Sequence, residues 1–171
     1  MIIVSDIDRT IANHEHRAHH VDREPDDKRP KDWEAFLAPH LVAKDTLVEG
    51  ARKTFAHFTT LNYRIVFLTG RNEGLRLTTT LWLKEHLELD ITEDQLTMRP
   101  PGNMMSPLQY KREQVVSLKR DYPNESFLFL DDDKYLWSMY AEYGLVLKAP
   151  ECWESMFPVH TEVEPTDIWR R

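Results

Sequence analysis

The chain opens with MIIVSDIDRT (residues 1–10), an apolar run that ends at two aspartates, Asp6 and Asp8. A second apolar run, FLFL at residues 127–130, ends in three more aspartates, Asp131, Asp132 and Asp133. Each run is typical of a buried strand, and the carboxyl ends of parallel strands in an open α/β sheet border one crevice. The sequence therefore predicts that acids from distant segments meet at one edge of a sheet.

Such a gathering of carboxylates predicts a bound cation, because the negative charges otherwise repel one another strongly. Mg²⁺ is the expected ion, since it binds one or two carboxylates together with waters and substrate phosphate. At least one acid of the run 131–133 should be a metal ligand, and helix N-capping is a second role that one of them could fill. The pattern indicates a site that handles phosphate.

The length of 171 residues predicts a single domain that spans residues 1–171, because a chain of this size can bury one core. The formal charge of -7 argues against broad electrostatic binding to nucleic acid but leaves room for a locally basic pocket. The single cysteine, Cys152, excludes an intramolecular disulfide. Without a long apolar segment, we expect a cytoplasmic protein with no membrane contact, and no obligate protein partner is evident.

Apolar runs and helical periodicities alternate along the chain. Strands are predicted at 2–5, 63–68, 96–98, 126–130 and 145–147, and helices at 46–60, 73–87, 109–121 and 134–143. This repeated strand–helix order is typical of a Rossmann-like α/β fold, a parallel sheet with helices on both faces.

Residues 13–45 interrupt this order and form a predicted insertion after the first strand, with a loop at 13–31 and a helical turn at 32–37. The insertion could act as a lid or contact substrate, or it could be a solvated surface excursion. Its histidines suggest a metal site, but a charged loop without cysteine favours a solvated lid, and we predict no structural zinc. They are His14, His16, His19 and His20. The tail 151–171 is predicted to be irregular.

Asp6 is the candidate nucleophile, because a carboxylate can attack phosphorus and form an aspartyl-phosphate when cations screen the incoming anion. Asp8 is the candidate acid/base that protonates the leaving oxygen and later deprotonates water. A bare Asp-x-Asp pair is often a solvated turn, and its place after a buried strand favours the catalytic alternative.

Two further segments are candidate phosphate contacts. At the end of the strand 63–68, the Thr69 hydroxyl and the backbone at Gly70 could form an anion cradle, although Thr-Gly is also a common turn. Lys111 shares a helical face with apolar residues, so its ammonium either points inward to an anionic partner or extends along the surface to water. Those apolar residues are Val115, Leu118 and Tyr122.

Taken in order, these segments resemble the four signature motifs of the haloacid dehalogenase superfamily, many of whose members are Mg²⁺-dependent phosphatases. The resemblance implies a Rossmann-like fold with Asp6 as nucleophile and Asp8 as acid/base and as metal ligand through its backbone carbonyl. It also implies phosphate binding by Thr69 and Lys111. Asp131 and Asp132 would serve the metal, with Asp132 favoured as the direct ligand.

Most of the chain also resembles the phosphatase domain of the bacteriophage polynucleotide kinase-phosphatase family. The matching residues include Asp32-Trp33, Trp82-Leu83, Met98-Arg99 with Gly102, and Gly144. The likeness implies substrate contacts by Arg71 and by Arg17, which stands eleven residues after Asp6. Arg9 replaces the usual glycine, and uncharged Asn103, Met105 and Pro107 stand where charged residues are usual. No kinase phosphate-binding motif is present.

These observations predict a Mg²⁺-dependent phosphomonoesterase acting on a polynucleotide 3′-phosphate or a nucleotide phosphate. A small-metabolite phosphatase of the same superfamily is the alternative. A third hypothesis is a catalytically inactive module that binds nucleotide or nucleic acid. Every expected catalytic side chain is nevertheless present.

Overall fold

The computed structural model describes residues 1–22 and 26–149. Its strands are β1 Ile2–Ser5, β2 Ala12–Asn13, β3 Thr46–Leu47, β4 Arg64–Asn72, β5 Leu96–Arg99, β6 Phe127–Asp131 and β7 Leu145–Lys148. Five of them form a parallel sheet in the order β5-β4-β1-β6-β7, and β2 pairs with β3 in a small antiparallel ribbon. The first strand of the chain is therefore the central strand of the main sheet.

Seven α-helices accompany the strands in the described residues. They are α1 Glu15–Ala18, α2 Trp33–Phe36, α3 Pro39–Val42, α4 Ala51–Thr60, α5 Arg76–Leu87, α6 Pro107–Asp121 and α7 Lys134–Ala141, with 3₁₀ turns at Glu73–Leu75 and Glu93–Gln95. None of the helices in this part of the chain is long and apolar enough to cross a membrane.

Side chains that alternate along β1 divide the core between the two faces of the sheet. Ile3 packs into a cluster with Phe55 of α4 and Leu83 of α5, whereas Ile2 packs with Val115 of α6 and belongs to the opposite cluster. Successive strand residues point to opposite faces, so a run that is apolar throughout needs helices on both sides. The predicted Rossmann-like α/β fold is confirmed.

The neighbouring strands β1 and β6 bring distant acids to the same edge of the sheet. The Asp6 amide donates to the Leu130 carbonyl at 2.8 Å, so the pairing of β1 with β6 continues as far as Asp6. Asp131 is the last residue of β6. The two acids are thus placed side by side by the strand register alone.

The predicted helix over 46–60 is wrong in its first residues, and the helix begins at Ala51. Thr46 and Leu47 pair with β2 instead, and Gly50 has a left-handed φ of 83°, which lies outside the helical region.

The insertion after β1 also differs in part from its prediction. The predicted loop over 13–31 contains a helical turn, α1, whereas the helical turn predicted at 32–37 is confirmed as α2. Asp32 caps α2 by accepting from the Ala35 amide at 2.9 Å. The prediction for the tail 151–171 lies outside the described residues.

Two glycines provide a test of backbone packing. A Cβ added at Gly144 would lie 2.3 Å from the Phe127 carbonyl oxygen, whereas one added at Gly70 would meet nothing within 4 Å. Gly144→Ala is therefore expected to lower the free energy of unfolding by about 3 kcal/mol, because the backbone must shift to relieve the clash. Gly70→Ala, the matched control, should change it by less than about 0.5 kcal/mol. Urea unfolding would check both, and equal stabilities would contradict the close approach at Gly144.

Candidate active site

The loop after β1 is held by buried apolar residues rather than left mobile. Ile7 and Ile11 are fully buried, and the Ile7 carbonyl accepts from the Ile11 amide at 2.9 Å and from the Ala12 amide at 2.8 Å. Asp6 and Asp8 flank the buried Ile7, so burying that side chain fixes the positions of both acids.

A three-carboxylate cluster, formed by Asp6, Asp131 and Asp132, lies at the carboxyl ends of β1 and β6. Each residue contributes one oxygen, and these oxygens lie within 4.8 Å of one another. The predicted meeting of acids from distant segments is therefore confirmed. The Asp8 carboxylate is not in this cluster, and the contact of its backbone carbonyl with a metal stays a prediction.

Lys111 reaches this cluster from α6. Its Nζ lies 3.0 Å from Asp6 Oδ1 and 2.8 Å from Asp131 Oδ2, and only 5 % of the residue is exposed. Burial lowers the pKa of Lys111, but the charges of Asp6 and Asp131 outweigh that effect and raise the pKa well above its ordinary value. Of the two alternatives for Lys111, the structure shows the inward one. Its role in binding phosphate stays a prediction.

The three consecutive aspartates differ in what they contact. Asp131 accepts from the Asp133 amide on Oδ1 and from Lys111 and the Tyr140 hydroxyl on Oδ2, at 2.8–2.9 Å. Asp133 caps α7 by accepting from the Tyr135 amide at 3.0 Å, which confirms N-capping by one of the three. The Asp132 amide donates to the Thr10 hydroxyl oxygen at 3.1 Å. Asp131 is thus surrounded by protein donors.

The three carboxylates of the cluster repel one another, and Lys111 offsets only part of this repulsion. Burial raises the pKa of Asp6 well above its ordinary value, and Asp131 and Asp132 add to the shift while Lys111 opposes it. Burial and the Asp131 charge likewise raise the pKa of Asp132 to about 6. Hard carboxylate oxygens at this spacing fit a small oxygen-seeking cation such as Mg²⁺, whose charge would offset the repulsion.

A second charged group, here called the guanidinium network, consists of Asp8, Arg17, Asp45 and Arg71. Arg71 binds both oxygens of the Asp8 carboxylate, through Nε at 3.0 Å and Nη2 at 2.9 Å, and Arg17 Nη2 lies 2.5 Å from Asp8 Oδ1. Burial raises the pKa of Asp8, but the two guanidiniums outweigh it and hold the pKa far below its usual range. Asp8 is therefore ionised in this arrangement.

Asp45 joins the two arginines and was missed in the sequence. It accepts from Arg17 Nε at 2.7 Å and from Arg71 Nη2 at 2.8 Å, and all three side chains are fully buried. The Asp45 carbonyl also accepts from Trp82 Nε1 at 2.7 Å, which fixes the backbone at this point. The sequence offers no signal for this role, because Asp45 follows no apolar run.

Thr69 and Gly70 lie directly before Arg71 of this network and within β4, which continues past the strand end predicted at residue 68. Thr69 is fully buried and its hydroxyl accepts from the Arg71 amide at 3.2 Å, whereas Gly70 is exposed. The structure therefore brings Arg17 and Arg71 to Asp8 and Lys111 to Asp6, in two adjoining groups. Contacts of Thr69, Gly70, Arg17 and Arg71 with substrate stay predictions.

His14 is not part of a solvated lid, and that prediction is wrong for this residue. It is 5 % exposed, its ring packs edge-on against Phe36 at 5.1 Å, and its Nδ1 lies 3.8 Å from Asp8 Oδ1. Burial lowers the pKa of His14 and favours the neutral ring. His16 is exposed, although its Nε2 lies 3.1 Å from Asp45 Oδ1.

Arg9 has a left-handed backbone, with φ of 62°, and its guanidinium pairs with Asp22. Glycine adopts this conformation without the Cβ clash that other residues meet. A glycine at this position would therefore adopt the turn with less strain than Arg9 does.

Comparisons with known proteins find similarity at the level of structure only. No protein family matches the sequence, and no curated protein matches it. A chain of a Pnkp1/Rnl/Hen1 complex superposes with a TM-score of 0.59 and 17 % identity, over 86 % of this chain and 44 % of that one.

Two further solved structures are similar. DsGPDH of Dunaliella salina has a TM-score of 0.55 and 12 % identity, over 90 % of this chain and 33 % of that one. The class C acid phosphatase from Bacillus anthracis has a TM-score of 0.53 and 15 % identity, over 90 % of this chain and 69 % of that one. The chain therefore spans less than half of the length of the first two, and at these identities the likeness establishes the α/β fold alone.

Proposed function

We propose that the chain is a Mg²⁺-dependent phosphomonoesterase that works through an aspartyl-phosphate on Asp6. The observation that carries the proposal is the three-carboxylate cluster, whose oxygens lie within 4.8 Å of one another beside the ammonium of Lys111. Buried acids in mutual repulsion are common at functional sites and uncommon where only stability matters. The resemblance to haloacid dehalogenase phosphatases gives each of these side chains a role.

In the first step an oxygen of the Asp6 carboxylate attacks phosphorus, the bond to the leaving oxygen breaks, and an aspartyl-phosphate forms. Lys111 lies 3.0 Å from Asp6 Oδ1, so its ammonium can attract the phosphate and offset the repulsion between two anions. In the second step water attacks the phosphorus of the aspartyl-phosphate, which releases inorganic phosphate and restores the carboxylate.

Asp8 suits the role of acid/base in both steps. As an ionised carboxylate it can remove a proton from the attacking water. To protonate the leaving oxygen it must first hold a proton, which its pairing with Arg17 and Arg71 opposes. Phosphate oxygens would compete with Asp8 for these guanidiniums, and loss of that pairing would raise the Asp8 pKa toward the range of a useful acid.

Mg²⁺, when bound, would supply positive charge that screens the phosphate and keeps Asp6 ionised. Asp6 and Asp132 would hold it through side chains, with the backbone carbonyl of Asp8 as a further oxygen. Both oxygens of Asp131 already accept hydrogen bonds from protein donors, which favours Asp132 as the direct ligand. Asp131 would then orient Lys111.

A nucleotide or a polynucleotide 3′-phosphate is the proposed substrate. The resemblance to the phosphatase domain of polynucleotide kinase-phosphatases supports a polynucleotide end. The formal charge of -7 favours a small nucleotide, because an acidic surface repels a long phosphate backbone.

The proposed function is tested by phosphate release from a substrate panel with and without Mg²⁺. The panel contains 3′-phosphorylated oligonucleotides, 5′- and 3′-mononucleotides and sugar phosphates. We expect Mg²⁺-dependent release from the nucleotide or oligonucleotide substrates. Release that EDTA leaves intact would overturn the metal requirement, and no release from any substrate would favour the binding-module alternative.

Mg²⁺ is expected to stabilise the folded protein through the three-carboxylate cluster. At ten times its dissociation constant it should add about 1.4 kcal/mol to the free energy of unfolding and raise Tm by about 3 °C. Asp132→Asn should lose most of this response, and without Mg²⁺ it should unfold no more readily than wild type, because one repelling charge is gone. Asp133→Asn is the matched control and should keep the response, because asparagine also caps a helix. Equal responses in both variants would contradict the assignment.

A further inference from the structure

An open cavity of about 490 Å³ has no part in the phosphoryl chemistry described above. Its lining residues are Trp33, Glu34, Leu37, Ala38, Pro39 and Asn72. The volume falls within the range of about 300–1,000 Å³ that is typical of small-molecule sites. The cavity is therefore large enough for a nucleoside-sized group.

Two lining residues of the cavity follow directly in sequence on Arg71, which binds Asp8, and on Phe36, which contacts Arg17. Asn72 directly follows Arg71, whose guanidinium binds the Asp8 carboxylate. Leu37 directly follows Phe36, whose carbonyl accepts from Arg17 Nη1 at 2.9 Å and whose ring centroid lies 4.1 Å from the Arg17 guanidinium carbon. Phe36 contacts both Trp33 and Arg17, so this one side chain connects the cavity wall to the guanidinium network.

Trp33 gives the cavity an aromatic wall that the core does not use. Its side chain is 53 % exposed, which is unusual for the largest apolar residue, and Phe36 contacts the ring edge-on at 5.7 Å. Lys31 Nζ lies 5.5 Å from the ring centroid. Leu37 and Pro39 extend the apolar lining. An accessible indole with apolar neighbours suits a flat ring, which can stack on it.

The polar residues of the cavity suit the edge of a heteroaromatic ring. The Glu34 carboxylate can only accept hydrogen bonds at neutral pH, and the Asn72 amide can both donate and accept. A few polar groups in a mostly apolar lining are what small-molecule sites use to fix orientation.

We propose that this cavity is a nucleobase subsite, which binds the base of the nucleoside that leaves when the phosphate is removed. The inference rests on the proposed phosphatase function and adds the substrate class to it. A sugar phosphate offers no extended aromatic face to Trp33, so the subsite selects nucleotides over such compounds.

The kinetic test compares a substrate that has a base with one that does not. Trp33→Ala should lower kcat/KM for adenosine 3′-monophosphate about tenfold, mainly through KM, because stacking on one aromatic side chain is lost. The kcat/KM of the same variant for glycerol phosphate, which has no ring, should stay unchanged. Trp33→Phe should retain most of the nucleotide activity. Leu81→Ala, an equally apolar change at a residue of α5 that is 56 % exposed, is the matched control. Equal losses for both substrates, or no loss for the nucleotide, would overturn the subsite.

A binding test separates this inference from the phosphatase proposal. In the Asp6→Asn background, isothermal titration calorimetry should detect binding of adenosine but not of ribose, and Trp33→Ala should weaken the binding of adenosine about tenfold. If wild type releases no phosphate from any substrate while adenosine binding still depends on Trp33, the phosphatase proposal fails and the subsite stands. If phosphate is released but adenosine binding is independent of Trp33, the subsite fails alone.

Discussion

Asp6→Asn is expected to abolish phosphate release, with kcat lower by at least about a thousandfold, because a neutral amide cannot act as the nucleophile. The fold should persist, since asparagine has the size of aspartate and the change removes one charge from the three-carboxylate cluster. Phosphate release under single-turnover conditions would measure the loss, and circular dichroism would show that the sheet is intact.

Asp133→Asn is the matched control for that experiment. Asp133 belongs to the same run of acids, but it caps α7 and stands outside the three-carboxylate cluster. We expect full activity from this variant. Phosphate release that persisted in Asp6→Asn would refute the assigned nucleophile, whereas a loss in both variants would point to general damage at the end of β6.

Asp45→Asn is expected to lower the free energy of unfolding by about 3–5 kcal/mol, because it leaves two buried guanidiniums with one carboxylate between them. Asp45 binds Arg17 at 2.7 Å and Arg71 at 2.8 Å, and water reaches none of the three side chains. Urea unfolding followed by fluorescence would measure the change. Activity should fall as well, since both arginines would lose the partner that orients them toward Asp8.

The exposed pair between Arg52 and Glu88 supplies the control for burial. Its nitrogen–oxygen distance is also 2.7 Å, but its side chains are 49 % and 71 % exposed. Glu88→Gln should therefore change the free energy of unfolding by less than about 1 kcal/mol. Similar losses of unfolding free energy in Asp45→Asn and Glu88→Gln would show that the guanidinium network stabilises the fold no more than a surface ion pair does.

The ends of β1 and β6 were predictable because they depend on local pattern, whereas β4 continues to Asn72, beyond its predicted end at residue 68. The apolar runs at the start of the chain and at 127–130 are buried strands, and adjacent parallel strands place Asp6 beside Asp131 in any such sheet. The inward position of Lys111 was also visible, as a cation on an apolar helical face. These features need only the period of a strand or a helix and the rule that parallel strands end together.

The guanidinium network was not predictable in the same way. Asp45 lies between exposed Lys44 and Thr46, so its local sequence is that of a surface loop. Its partners Arg17 and Arg71 are 28 and 26 residues away in sequence, and tertiary packing alone brings them together. The same limit explains the error at 46–47, where pairing with β2 outweighed the helical pattern.

The buried guanidinium of Arg17 has a consequence for how the segment around α1 moves. To swing this segment outward, the protein would have to separate Arg17 from Asp8, Asp45 and the Phe36 carbonyl at once. Amide hydrogen exchange at Arg17 should therefore approach the slow exchange of the central strands, because local opening would leave the buried Asp45 carboxylate with one guanidinium partner fewer. Under the proposed function, product would leave the site without an outward movement of α1.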